Sequence, residues 1–462
     1  MTARLLSVAC AAALAGCMSL APTYERPAAP VAAQFPFADA AAGGTPAAQR
    51  EWQAFFADAR LQRLISTALS NNRDLRVAVL NIEAARAQAG VRRADEWPTV
   101  NLAAGATRQP AANGSISTTY TAGFAVAAFE LDLFGRVRSL SNAALAQLAA
   151  SEEARKAAQI ALVASVANLY YAIAGDYELI QLTERTLATR EESLRLTRLR
   201  FDNGVISELD LQLAQSLVEA ARVALVQQRR QRALDQNALE LLLGQPLPAG
   251  LPPAAAWSAT SLPDLPAGLP SEVLLQRPDV RQAEQQLIAA NANIGAARAA
   301  FWPRISLTGS IGTASNELSG LFHGTAWTFA PQLLMPLFDA GRNRANLQGS
   351  EAARDIAVAQ YERAIQAAFR DVADALAGRA TLQEQLRAQQ AQADAEAVRY
   401  RLSTLRFENG VASSLELLDA QRSLFAAQQA VLQSQLALIQ NRVAVYRSLG
   451  GGWAAAGSAP AR

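Results

Sequence analysis

The 462 residues carry 42 basic and 40 acidic side chains spread along the chain, a formal charge of +2, so no basic patch for nucleic acid stands out. One histidine, His323, and two cysteines, Cys10 and Cys17, are too few for a His- or Cys-built metal site or a nucleophile–base triad. Neither GxGxxG after a strand nor GxxxxGK[ST] occurs, and no eighteen consecutive residues are apolar. The composition therefore argues against an enzyme, a bound cofactor or metal, a nucleotide-driven machine and a helical membrane span. His323, among Asn316, Gly320 and Gly324, reads as a solvated loop residue.

The chain opens with Arg4 and an apolar run from Leu5 to Leu14, too short to cross a bilayer and built like a secretory signal over residues 1–16. Leu14-Ala15-Gly16-Cys17 resembles the lipobox of bacterial lipoproteins, which makes Cys17 the expected lipidation site. Cys10 would leave with the signal, so the mature chain would hold no free thiol and no disulfide. Met18 stands where an Asp would commonly retain such a lipoprotein in the inner membrane. Residues 17–50 are then an extended, lipid-bearing segment. Several acyl chains anchor stably where one does not.

Residues 50–97 are rich in Ala, Leu, Arg and Gln at helical spacing, and the helix is expected to stop against Pro98. Alternation then replaces it: Val100, Leu102, Ala104 and Ala106 share a face, residues 108–118 form a polar loop around Asn113-Gly114, and Phe124 and Val126 resume the pattern. This predicts a β-hairpin over about 99–131. No proline occurs from Ala111 to Gln245, and residues 136–199 predict a helix about 96 Å long, which must project from any compact body. It ends at Arg200-Phe201-Asp202-Asn203-Gly204, where glycine supplies a left-handed cap, and Val205 to Leu243 returns. A helical hairpin over 136–243 completes a first unit, residues 51–244.

Seven prolines between Gln245 and Val273 forbid helix there and mark 245–273 as an extended linker. After it the plan repeats at an offset of about 205 residues. Arg73-Asp74-Leu75-Arg76 returns as Pro278-Asp279-Val280-Arg281, and Trp97-Pro98-Thr99-Val100-Asn101-Leu102 as Trp302-Pro303-Arg304-Ile305-Ser306-Leu307. Leu133-Phe134-Gly135-Arg136 answers Leu337-Phe338-Asp339-Ala340-Gly341-Arg342 with two residues inserted, and Arg200-Phe201-Asp202-Asn203-Gly204-Val205 answers Arg406-Phe407-Glu408-Asn409-Gly410-Val411. The second unit, residues 274–450, is thus a helix, a β-hairpin over about 304–336 with its loop at 313–324, and a helical hairpin over 342–449; residues 451–462 are a tail. Trp327, Phe329, Leu333 and Met335 share one face, while Pro331 is out of place in a strand interior and suits an edge or bulge.

One chain offers four strands, whereas a closed barrel needs about eight, and an open edge cannot sit in lipid. The strands must close with copies of themselves, two or three chains sufficing. Ala21-Pro22-Thr23-Tyr24-Glu25-Arg26-Pro27, Arg277-Pro278-Asp279-Val280, Pro336-Leu337-Phe338-Asp339-Ala340-Gly341-Arg342 and Leu417-Leu418-Asp419-Ala420-Gln421-Arg422-Ser423-Leu424, in this order over the whole mature chain, resemble the TolC-type outer-membrane efflux ducts. The match is to their lipoprotein, NodT-like branch, which serves resistance-nodulation-division pumps.

That resemblance implies a mainly α fold with a β-barrel portion, a homotrimer forming a 12-stranded outer-membrane β-barrel that continues into a periplasmic α-helical barrel. The linker would lie in a belt of mixed structure around its middle. It implies passive export of drugs or other small molecules, with a periplasmic adaptor, an inner-membrane pump and outer-membrane lipid as partners; service to a type I protein-secretion system is the alternative. Matched to the family motif, Leu415 and Asp419, four residues apart and so on one helix face, are candidates for apolar and acidic rings at the closed periplasmic mouth. Arg422 is a candidate for ion pairs between protomers. The first-half counterpart of Asp419 is Leu213, so one hairpin alone is expected to carry the acid. The tips Arg200, Phe201, Asn203, Gly204, Arg406, Phe407, Asn409 and Gly410 resemble the family's adaptor-docking turns.

Overall fold

A computed structural model of the chain describes residues 19–37, 50–110, 114–252, 257, 262–263 and 271–452. Cys17, Cys10, Asn113, the C-terminal tail and most of the Pro-rich linker lie outside the described residues. In chain order the elements are α1 (Trp52–Phe55), α2 (Ala59–Asn71), α3 (Arg73–Ala94), β1 (Val100–Pro110), β2 (Ile116–Leu131), α4 (Arg136–Asp202) and α5 (Glu208–Leu243). A 3-10 turn over Ser271–Gln276 leads into α6 (Pro278–Ala299), β3 (Arg304–Ser315), β4 (Ala326–Leu334), α7 (Arg342–Glu408) and α8 (Ser414–Ser448). The duplicated plan of helix, β-hairpin and helical hairpin is therefore present in both halves.

The structure departs from the sequence reading in three places. The stretch 50–97 is three helices, because side chains recruit its backbone: Asp58 caps α2, accepting from the Arg60 and Leu61 amides at 2.8 and 3.3 Å, and Asn72 accepts from the Leu75 amide at 2.9 Å. The strands run further into the loops than their polar residues suggested, to Pro110 and from Ile116 in the first hairpin. Lastly, α4 does contain an eighteen-residue window of mean hydropathy 1.5, so composition did not exclude a membrane-crossing helix. Close to half of that window is buried within the chain, and Val163, Val166, Ala167 and Tyr171 are core residues. A core helix passes the same test.

Contacts divide the chain into two units. The first comprises residues 19–29, Val79–Glu153 and Arg281–Ala364 and contains the four strands, which form one antiparallel sheet ordered β1-β2-β3-β4. Leu102, Phe124, Ile311 and Trp327 lie opposite one another in a single cross-strand row, and Val100, Val126 and Phe329 lie in the next. The row is 79, 57, 59 and 71% exposed, so nothing among the described residues covers this apolar face. The other face carries Asn101, Ala125, Ser310 and Thr328, whose last two hydroxyls hydrogen-bond at 2.7 Å.

A bulge keeps the faces distinct: Ala128 adopts φ 51°, the register slips between Val126 and Phe129, and Phe129 and Leu131 rejoin the apolar side opposite Leu307 and Ile305. Pro331 sits opposite Leu307 in β4, an outer strand of the four, the kind of strand in which proline is tolerated. His323 is exposed in the loop before β4, as expected.

In this first unit residues 19–29 run extended along α6. Asn291 donates to the Pro22 carbonyl at 2.8 Å, while the Tyr24 hydroxyl and Arg26 Nε both reach the buried Glu284 carboxylate, at 3.0 and 2.7 Å. Burial, then the hydrogen bond to Glu284, pushes the Tyr24 phenol above its ordinary pKa. The Tyr-x-Arg of the N-terminal motif is thus a two-pronged clamp on one buried acid.

The second unit, Pro30–Ala78, Ala154–Val280 and Ile365–Arg462 as far as described, holds the rest of both helical hairpins. Its core gathers Phe55 and Tyr446, stacked 4.1 Å apart, with Phe56 edge-on. Arg277 bridges to Asp279 at 2.6 Å and to the Ser448 carbonyl at 2.7 Å, tying the start of α6 to the end of α8. That contact gives the Arg-Pro-Asp motif its structural purpose.

Candidate functional site

The tips of both hairpins are built alike. α4 and α7 are each 67 residues long and end on Asn-Gly. Asn203 and Asn409 donate back to the carbonyls of Leu199 and Leu405, each at 2.7 Å, and the Val205 and Val411 amides reach the carbonyls of Arg200 and Arg406, each at 2.9 Å. Gly204 and Gly410 take φ 70° and 73°, a left-handed turn that L side chains resist, although a Cβ would meet open space at either. Conformation and not crowding demands glycine there. Ser207 and Ser413 then cap the return helices, Ser207 in a reciprocal capping box with Asp210.

The two tips also touch. The Arg200 guanidinium lies 4.4 Å from the centre of the Phe407 ring, and the Ser414 hydroxyl hydrogen-bonds Asp210. Hydrogen bonds from Ser207 and then Ser414 hold the Asp210 carboxyl below the usual carboxylate range. Val205, Leu209, Val411 and Leu415 are exposed around the turns, presenting apolar groups beside the charged ones. Of the eight tip residues singled out from sequence, the asparagines and glycines make the turn, and Arg200 with Phe407 makes the link between hairpins. Arg406 pairs with Glu416 at 3.4 Å, and Phe201 is half-buried behind the turn.

Leu415 and Asp419 lie one turn apart on α8, both accessible, Leu415 at 60%. Asp419 is held on both sides. Arg399 of α7 approaches its Oδ2 at 3.2 Å while also pairing with Glu396 at 2.7 Å, and Arg422 contacts its Oδ1. Within one chain Arg422 is therefore a partner of Asp419. Sequence reading passed over Arg399, yet folding the hairpin about Asn409-Gly410 puts residues ten before and ten after the turn opposite one another, which would have found it. It also passed over the Ser414–Asp210 link, for which neither residue type nor spacing gives a signal.

The geometry is that of a duct component: among the described residues, a sheet with an uncovered apolar face and two open edges, and two helical hairpins, the second of which carries an apolar and an acidic position one turn apart near its tip. The sequence pattern of the family described as "Outer membrane efflux protein" matches residues 64–245 and 269–451, one match in each half. Two relatives from Pseudomonas putida, an antibiotic efflux pump outer membrane protein ArpC and a toluene efflux pump outer membrane protein TtgC, are each 48% identical over 466 residues, covering 98% of this chain and 96% of theirs. The open state of the MtrE outer membrane channel of Neisseria gonorrhoeae superposes with a TM-score of 0.87 at 41% identity, covering 94% of this chain and 99% of that one.

Proposed function

Because the chain belongs to the outer membrane efflux protein family, and is accordingly an outer-membrane efflux channel, we propose how its residues divide the work. Three copies close their four-stranded sheets edge to edge into a 12-stranded barrel, and their hairpins form the periplasmic tube. The observation that carries this is the uncovered row Leu102, Phe124, Ile311 and Trp327 on a sheet whose outer strands have no further strand beside them among the described residues. Such a face suits acyl chains, and such edges are tolerable in a bilayer only when closed. The duct is a conduit and not a catalyst. It passes drugs or other small molecules, the cargo class named for its relatives, and a periplasmic adaptor joins it to the inner-membrane pump that supplies energy.

Leu415 and Asp419 form successive rings at the periplasmic mouth. Three carboxylates converging there repel one another unless compensated. Arg399 and Arg422 supply that compensation within each chain, and Arg422, the most exposed of the three, is placed to exchange Asp419 for an acid of the next protomer on opening. Arg200 to Gly204 and Arg406 to Gly410 dock the adaptor, with Val205 and Val411 as its apolar footing. Cys17 carries lipid, and the Tyr24–Arg26 clamp on Glu284 holds the segment that follows it.

Purified protein in planar bilayers is expected to form cation-preferring channels of low conductance that open further in Asp419→Ala. Failure to conduct, in both forms, would overturn the duct and the gate together. Cysteines placed at Val205 and Val411 in cells are expected to crosslink to an adaptor; crosslinks to cell-wall material alone would overturn the docking assignment.

A further inference from the structure

Between α4, α7 and α8 of the second unit lies a cavity of about 360 Å³ that the gate and the docking tips do not use. Arg190 of α4 projects into its wall and is only 4% exposed. One Nη of Arg190 donates to the Leu217 carbonyl at 2.9 Å, and its guanidinium carbon sits 5.1 Å from the centre of the Phe425 ring. Its Nε has no acceptor among the described residues, and neither does the buried Gln421 Oε1 in the same wall have a donor. Arg185, Thr186, Thr189, Tyr400 and Gln428 complete the polar lining, and no Asp or Glu lines the cavity.

The neighbouring acids are already committed: Glu184 to Arg229, Glu191 to Arg222, Glu192 to Arg195 and Glu396 to Arg399. A guanidinium stays charged at any physiological pH, and burying one without an anion is costly. A carbonyl and an aromatic face compensate it only in part.

We propose that this cavity is a binding site for a small aromatic carboxylate, whose anion meets the Arg190 guanidinium and whose ring packs on Phe425 and Leu424. Arg185 adds a second positive charge at the rim, and rotation of the Gln421 amide offers an N–H donor. Because Arg190 belongs to the first hairpin and Gln421 and Phe425 to the second, the bound anion ties the hairpins together. The site is separate from the Leu415–Asp419 mouth and does not depend on the gate.

Benzoate is the probe, titrated calorimetrically into the intact protein in detergent. One saturable site per chain is expected, with a raised thermal midpoint. Arg190→Gln should weaken binding at least ten-fold. Gln421→Glu, which keeps Arg190 and gives it a carboxylate from the protein, should do the same while leaving the fold at least as stable, so that a loss in Arg190→Gln through misfolding is recognised. Arg185→Gln should weaken it several-fold, and Asp419→Ala should leave it unchanged. Inorganic phosphate, which has no ring, should compete at least ten-fold less well. No saturable benzoate binding, unaltered binding in both Arg190→Gln and Gln421→Glu, or equal competition by phosphate would overturn the assignment.

Discussion

The first hairpin, α4 with α5, and the second, α7 with α8, share a skeleton: 67-residue descending helices, an Asn-Gly turn with the same two hydrogen bonds, and a serine cap on the return. Their acids are placed differently. The second carries Asp419 near its tip with Arg399 and Arg422 around it, whereas the matching positions in the first are Leu213, Ser193 and Ser216. The first instead has a carboxyl pair higher up, Asp176 with Asp235, where the second has Leu382 and Asn441. Backbone-directing residues were kept in both copies of the repeat and charge was redistributed. Shape therefore belongs to the repeat, and the Asp419 ion-pair cluster belongs to one copy of it.

The largest effect expected from this contrast is on conductance. Asp419→Ala should raise the current of the closed channel on the order of several-fold, and Leu213→Ala, its counterpart, should leave it unchanged in the same bilayers. Equal effects would erase the asymmetry. Next come the turns, where the hairpins should respond alike: Gly204→Ala and Gly410→Ala each place a Cβ in the left-handed region and should cost about 1–2 kcal/mol, read from denaturant unfolding of the helical signal.

The caps should differ by less. Ser207→Ala and Ser413→Ala should each lose about 1 kcal/mol, with Ser207 the costlier because its capping box is reciprocal; the same unfolding curves decide it.

The smallest effect concerns pH. Burial, and then the charge of Asp235, raises the Asp176 carboxyl to about 6. A carboxyl whose folded pKa is raised is no burden while protonated in both states, and becomes one as it ionises. The thermal midpoint should therefore fall as pH rises from about 4 to about 6. Asp176→Asn should flatten that slope, and Asn441→Asp should introduce a comparable slope in the second hairpin only if Leu382 is made Asp as well.

Much of this was legible in the sequence, because the signals were local and repeated. Asn-Gly after a long proline-free run marks a helical hairpin, alternation between small turns marks strands, and the second copy confirms the first. What escaped was non-local. Glu284 as the acid beneath Tyr24 and Arg26 is about 260 residues from them, and no spacing rule reaches that far. Ala128 gave no sign of a bulge, because alanine has no preference for positive φ; only the switch of apolar parity from Val126 to Phe129 hinted at it. The helix expected over 50–97 broke where Asp58 and Asn72 out-competed it for backbone amides, a contest that composition does not register.

The equal lengths of α4 and α7 have a consequence for inheritance. A helix turns about 100° and advances 1.5 Å with each residue, so deleting one residue midway would swing every side chain beyond the lesion out of phase with its returning partner. Away from the turns and caps, substitutions could accumulate in the two copies after duplication where single-residue insertions and deletions could not. The shared count of 67 is what such a filter would leave behind: equal lengths carried by two different sequences.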